Sequence, residues 1–338
     1  MSNPTLRDIA ARLHLSPAAV SMGLHNSPRI AAKTKSRIRA VAQELGYRPN
    51  SLMSELASSR WQKAKVAKGS VIAYIDRIPA TSPYWPSYIH EPLRAQASLL
   101  GYEVQFFSSA DFSSSAKLQR VLRNRGIIDV ILGPMFDKAF AVQLDWNKFV
   151  AIQLLSGVYQ LPLHSAIKDH FAAVTLAWQK AVSRGYRRIG VLLLDHPIGP
   201  LSDDLMRSAA VHVCQHHLFS HLPALPTFHT PPGDPRTEAF VQWVETNDPD
   251  VIIGFSGSHY SLFHSHFNYY PAYITLHTDL PSEISGIPED ADNCAREAVN
   301  LLHFCRRTHQ WGIPERRIDH VIEPTWHEGT TLPVKPSS

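Results

Sequence analysis

The chain has 338 residues, 44% hydrophobic and 18% charged, with a formal net charge of +4. That balance excludes an intrinsically disordered chain and leaves room for about two domains with substantial cores. No run of about 18 apolar residues marks a membrane span, the opening "MSNPTLRDIA" lacks an apolar signal core, and three scattered cysteines (Cys214, Cys294, Cys305) imply no disulfide framework; a cytoplasmic protein is expected.

The charge is unevenly spread. Residues 1–68 hold twelve Lys or Arg against three acids, Asp8, Glu44 and Glu55, while acids outnumber bases in the remainder. A basic head on an acidic body points to a polyanionic partner for the head. The head is also patterned. Leu6, Ile9, Ala10 and Leu13 recur at the spacing of one helix face, with Thr5 in position to cap the helix. Ser16-Pro17 opens a second helix, Ser at the N-cap and Pro where its missing N–H costs nothing; Val20 and Leu24 face inward. "NSPRI" interrupts the chain, and a third helix follows with Ile38, Val41, Ala42 and Leu45 inward, Lys33, Lys35, Arg37 and Arg39 outward, and Gly46 as its stop. Two short helices across a tight turn, closed by a third, make a helix-turn-helix, whose second helix enters the major groove.

After the head, "YRPNSLMSELASSRW" (47–61) predicts a helix stub of about eight residues, too short to be stable alone. "SSRWQKAKVAKG" is a polar, basic connector. The body then alternates. Strands are predicted at "SVIAYI" (70–75), "EVQFF" (103–107), "DVILG" (129–133), "FVAIQLL" (149–155), "IGVLLL" (189–194), "DVIIGF" (250–255) and "AYITLH" (272–277). Helices are predicted at 88–101, 114–126, 171–184, 205–218 ("LMRSAAVHVCQHHL"), 240–248 and 293–311. "PALPTFHTPPGDP" (223–235) reads as a Pro-rich loop and nothing more. Near-continuous apolar strands alternating with helices imply parallel sheets covered on both faces, and some 270 residues imply two such lobes.

The run from Thr5 to Leu56 resembles, without a gap, the headpiece of the lactose-repressor (LacI) family of bacterial transcription regulators. The resemblance extends to "SPYW" (82–85), "SRGYRRIGVLLL" (183–194) and the tail from "GIPEDADNCAREAVNLL" to "IEPTWHEGTTL", and is poor over roughly 195–290. It implies an N-terminal all-α helix-turn-helix headpiece plus an α/β periplasmic-binding-protein-like core of two doubly wound lobes. The domains it implies are a headpiece over 1–46, a hinge helix over 47–60, a linker over 61–69, an N-lobe over 70–163 with about 288–320, and a C-lobe over 164–287 with about 321–333.

The resemblance further implies a homodimer on double-stranded DNA, a pseudo-palindromic operator, with a small-molecule effector, carbohydrates among the candidates, in the body. Pro17 and Ala18 occupy the base-choosing positions after the helix-opening Ser. Met22 stands where the family usually places an Arg on guanine; Met offers no bidentate fork, and Ala18 or Met22 can meet a thymine methyl instead. The family's helix-ending Asn is displaced, with His25 then Asn26. Ser16, Ser21, Arg29, Thr34 and Tyr47 are candidates for phosphate contact, and Thr5 and Leu6 join the DNA-contacting set. In the hinge, Asn50 and Met53 are further candidates, and Leu56 holds the place of the wedge that unstacks a central base step. Tyr84, Trp85, Arg207 and Asp279 match effector-contacting positions, while the family's Asn-Asp pair is replaced by Ser256-Gly257. The rival reading is a solute- or sugar-binding protein, or a regulator that has lost its ligand response. Nineteen histidines, "CQHH" (214–217) and "HSH" (264–266) among them, lack metal-site spacing. No nucleophile elbow, P-loop or dinucleotide fingerprint occurs, so no enzyme, cofactor or metal is expected.

Overall fold

The computed structural model describes residues 4–24, 30–47, 70–77, 87–133, 143–155, 161–195, 202–230, 237–255, 257, 260, 272–278 and 282–336. The chain divides into two compact units, Met1–Leu154 with Leu161–Ser165 and Ala295–Ile318, and Leu155–Gln160 with Ala166–Cys294 and Asp319–Ser338. Three helices come first: α1 (Leu6–Leu13), α2 (Pro17–Leu24) and α3 (Ala32–Glu44). The strands and helices that follow alternate as the sequence predicts.

The first sheet contains β1 (Ser70–Asp76), β2 (Tyr102–Ser108), β3 (Asp129–Leu132), β4 (Val150–Leu154), β5 (His164–Lys168) and β11 (Asp319–Ile322), in the order β11-β5-β4-β3-β1-β2. Pairing of β1 with β2 and β3, and of β3 with β4, is parallel. Helices α4 (Ser87–Leu99) and α5 (Ser115–Asn124) return the chain between these strands. Every residue of β3 and β4 is buried, which explains their unbroken apolar runs: both faces of a parallel sheet are covered.

The second sheet contains β6 (Ile189–Leu194), β7 (Phe228–Thr230), β8 (Val251–Gly254), β9 (Ala272–Thr278) and β10 (Gly286–Pro288), in the order β10-β9-β8-β6-β7, with parallel pairs throughout. Helices α6 (His170–Ser183), α7 (Ser202–Val213), α8 (Thr237–Asn247) and α9 (Ala291–Arg307) complete the described set. Asp169 caps α6 by accepting the Ala172 N–H at 2.8 Å. The core of this unit gathers Trp178, Ile189, Val191, Val251, Ile253 and Ile274.

Two expectations are corrected. The Pro-rich stretch is not only a loop: Phe228–Thr230 is an edge strand beside Leu192–Leu194, where prolines on either side do no harm because an edge needs fewer ladder hydrogen bonds. The segment 205–218 is not one α-helix: α7 ends at Val213 and Cys214–Leu218 form a π turn. Three short strands, β5, β10 and β11, also escape sequence reading, because "HSAIK", "GIP" and "DHVI" are too short or too polar to show a period.

One buried charge sits under strain. Asp129, at the start of β3, is 2% exposed, and its only charged neighbour among the described residues, Arg306, lies 3.4 Å away. Burial pushes its pKa up to about 6, against the pull of Arg306. A carboxyl whose folded pKa exceeds its unfolded value binds protons preferentially when folded, so its contribution declines as pH rises from about 4 to about 6. Asp129→Asn is expected to stabilise the protein by about 3 kcal/mol at pH 7 and to be neutral below pH ~4; denaturant melts at the two pH values check this.

Candidate nucleic-acid interface

The three N-terminal helices enclose a small core. Ile9, Ala10, Val20, Ile38 and Ala42 are buried in it, and Leu6, Leu13, Leu15, Leu24, Ile30, Val41, Leu45 and Tyr47 pack around them. Each turn of chain is fixed locally. The Asp8 carboxylate accepts both the Thr5 amide and the Thr5 hydroxyl at 2.7 Å, which holds its pKa below the usual carboxylate range. His14 takes the left-handed conformation that ends α1. The Ser16 hydroxyl accepts the Ala19 N–H at 3.1 Å, so Ser16 is the N-cap of α2 as read from sequence. At the end of α3, Tyr47 N–H donates to Ala42 and Gly46 N–H to Gln43, a Schellman closure that needs the positive φ of Gly46 (+67°). Arg12 and Glu44 tie α1 to α3 at the surface.

Helix α2 is the element whose outer face is open. Val20 and Gly23 turn inward and are buried, while Ser16, Pro17 and Ala18 are exposed and Ser21 and Met22 half-buried. Gly23 is a contact that sequence reading missed: a Cβ there would lie 2.4 Å from Ile38 Cδ1, so glycine lets α2 close onto α3. A glycine amid helix formers was the available signal. Thr34 is half-buried, and Lys33, Arg37 and Arg39 stand exposed on α3. Thr5 is exposed; Leu6 and Tyr47 are partly buried against the small core, and burial pushes the Tyr47 pKa up. The arrangement presents a short apolar ridge with hydroxyls and cations beside it.

In the second unit, Arg207 on α7, one of the expected effector-contacting residues, is 4% exposed. Its guanidinium meets Asp203 at 2.7 Å and Asp204 at 3.3 Å, contacts His170 Nδ1 at 3.2 Å and lies over the Phe255 ring at 4.7 Å. Because arginine only donates, His170 Nδ1 accepts and the proton sits on Nε2; that buried Nε2 has no hydrogen-bond partner among the described residues. Burial, then Arg207, drives the His170 pKa down to about 3, so the ring is neutral. Phe255 also stacks on His277, centroids 5.7 Å apart. His277 Nδ1 lies 2.8 Å from Glu289, and the buried Lys168 donates to Glu289 at 2.9 Å and to the Leu276 and Pro288 carbonyls at 3.3 Å each. Burial opposes ionisation of Glu289, but Lys168 and His277 outweigh it and hold its pKa well below the ordinary value. These polar groups gather at the carboxyl ends of β5, β8 and β9, where open α/β sheets place ligands.

Residues 5–50 match the family model described as bacterial regulatory proteins, lacI family. That stretch takes in the three helices α1, α2 and α3. The lactose operon repressor of Escherichia coli (strain K12) is 27% identical over 206 residues, covering 60% of this chain. That match spans 53% of the relative's own length. Among solved structures, the lac repressor dimer bound to operator and the anti-inducer ONPF aligns with a TM-score of 0.59 at 17% identity, over 98% of this chain and 100% of that one. The transcriptional regulator CelR in complex with cellobiose aligns with a TM-score of 0.60 at 15% identity, over 97% and 100%. A periplasmic binding protein/LacI transcriptional regulator from Alkaliphilus metalliredigens QYMF, complexed with D-xylulofuranose, aligns with a TM-score of 0.58 at 12% identity, over 78% and 99%. At such identities these likenesses establish the fold: a helix-turn-helix region followed by two parallel-sheet α/β units of periplasmic-binding-protein type.

Several sequence candidates lie outside the described residues: His25, Asn26, Arg29, Asn50, Met53, Leu56, Tyr84, Trp85 and Asp279. Conversely, His170, Lys168, His277 and Glu289 were not candidates, although a lysine ending an otherwise uncharged strand ("HSAIK") was a signal that it needed a buried partner. No helix among the described residues is long and apolar enough to cross a membrane. Removing one member of the Lys168–Glu289 pair leaves a buried charge short of a partner, so Lys168→Met is expected to cost about 3–5 kcal/mol. The double variant Lys168→Met/Glu289→Leu should recover most of that loss. Urea melts of the two variants check both expectations.

Proposed function

We propose that this protein is a sequence-specific DNA-binding transcription regulator, a repressor acting as a homodimer on a pseudo-palindromic operator, and not an enzyme. The observation that carries the reading is the lacI-family match over residues 5–50 on a folded three-helix unit whose α2 leaves Pro17, Ala18, Ser21 and Met22 on its outer side. Ser16, Ser21, Thr34 and Tyr47, with Arg29, position the headpiece on phosphates, and the exposed lysines and arginines of α3 add the salt-dependent part of the affinity. Ala18 and Met22 read thymine methyl groups in the major groove. Asn50, Met53 and Leu56 serve the hinge, Leu56 as the wedge at the operator centre.

The body responds to a small molecule. A relative of the same fold is described in complex with cellobiose and another with D-xylulofuranose, which supports a carbohydrate class. The charges around Arg207 support it as well: two carboxylates already neutralise the guanidinium, so a neutral polyhydroxyl ligand gains more there than an anion. Tyr84, Trp85 and Asp279 are the other proposed contacts. Such a ligand shifts operator affinity only by the difference between its affinities for two states of the protein.

Purified protein incubated with genomic fragments at low salt is expected to retain a family of related sequences, with affinity falling steeply as salt rises; failure to retain any duplex overturns the reading. In the same selection, Met22→Arg is expected to add a preference for guanine at one half-site position, by about 1–3 kcal/mol. Identical motifs for the two proteins would refute the assignment of Met22.

A further inference from the structure

Helix α7 does not finish in an α turn. Its continuation, Cys214–Leu218, is a π turn, closed by the Phe219 N–H donating to the Cys214 carbonyl at 2.9 Å. The turn is anchored from beneath. Cys214 is fully buried, Phe219 stacks on Trp178 with centroids 6.4 Å apart, and the Gln215 amide donates to the Leu225 carbonyl at 2.7 Å. His216 and His217 on the turn and His212 in the last turn of α7 are all exposed.

Residues four apart on a helix share a face, and the rings of His212 and His216 have centroids 4.6 Å apart. In an α-helix, residue i+5 points roughly 140° away from residue i. The i→i+5 register of a π turn brings it back, and the His217 ring accordingly lies 6.0 Å from that of His212. π turns of this kind recur at functional sites, and nothing in the DNA-binding reading uses this one.

We propose that His212 and His216 form a bidentate chelate for a borderline transition-metal dication, with His217 flanking it. Two imidazoles sharing one zinc at about 2.1 Å per bond have ring centroids roughly 5 Å apart, a spacing the pair already holds. Imidazole donors select copper, nickel and zinc over magnesium and calcium, which take oxygen. Among the described residues no three His, Cys, Asp or Glu side chains converge on one ion, so water completes the coordination. The site is therefore an open, exchanging one and not a closed structural zinc. It stands independently of the proposed DNA-binding function.

Calorimetric titration of Ni2+ into the untagged full-length protein at pH 7.5 tests the chelate, with Mg2+ in parallel. One Ni2+ equivalent is expected to bind, at least tenfold more weakly in His212→Ala and in His216→Ala. Mg2+ should give no heat. Metal-free melting temperatures of both variants should equal that of the parent, since both side chains are exposed; if one melts early, His216→Gln provides the same reading. Equal Ni2+ affinity in the parent and the variants, no Ni2+ uptake by the parent, or Mg2+ binding on equal terms each overturns the proposal.

Discussion

Helix α2 is eight residues long, and a helix of that length is not stable alone in water. Its outer face exists only because its inner face is held. Val20 enters the small N-terminal core, and Gly23 removes the one side chain that would keep α2 away from Ile38. The caps at both ends of the three-helix unit then fix where the chain turns. What α2 exposes is thus decided by residues that are themselves buried: the outward ridge is as firm as the packing of Ile38. A unit with so few buried side chains has a thin stability margin, which makes those positions as consequential for recognition as the exposed ones.

The second unit handles its charges differently. Lys168 and Glu289 are almost wholly buried, and so are Arg207 and Asp203. Each cation is matched by an anion, and His170 beside them stays neutral. Buried pairs of this kind add little to stability, but removing one partner is costly. Their effect is to fix the geometry of these side chains at the carboxyl ends of the strands.

The headpiece was legible in the sequence because every level agreed: the apolar period, the Ser16-Pro17 start, the Gly46 stop and the basic surface all gave one answer. The long strands were legible because burial on both faces leaves unbroken apolar runs. The misses share a cause. Phe228–Thr230, Gly286–Pro288 and Asp319–Ile322 are short segments that owe their conformation to neighbours distant in the chain. The Lys168, His277 and Glu289 cluster is likewise assembled by topology from separate strand ends, and no local spacing announces it. The π turn escaped because its cause, a cysteine and a phenylalanine drawn into the core, does not alter the helical composition.

The division of the chain has a consequence for biosynthesis. The first unit is completed only by Ala295–Ile318, and the second only by Asp319–Ser338. Neither can close while most of the polypeptide is still inside or near the ribosome. The headpiece, by contrast, draws its whole core from Leu6 to Tyr47 and can fold as soon as that stretch emerges. A nascent chain would therefore carry a finished N-terminal module for most of its synthesis, tethered to a body still waiting for its final segments.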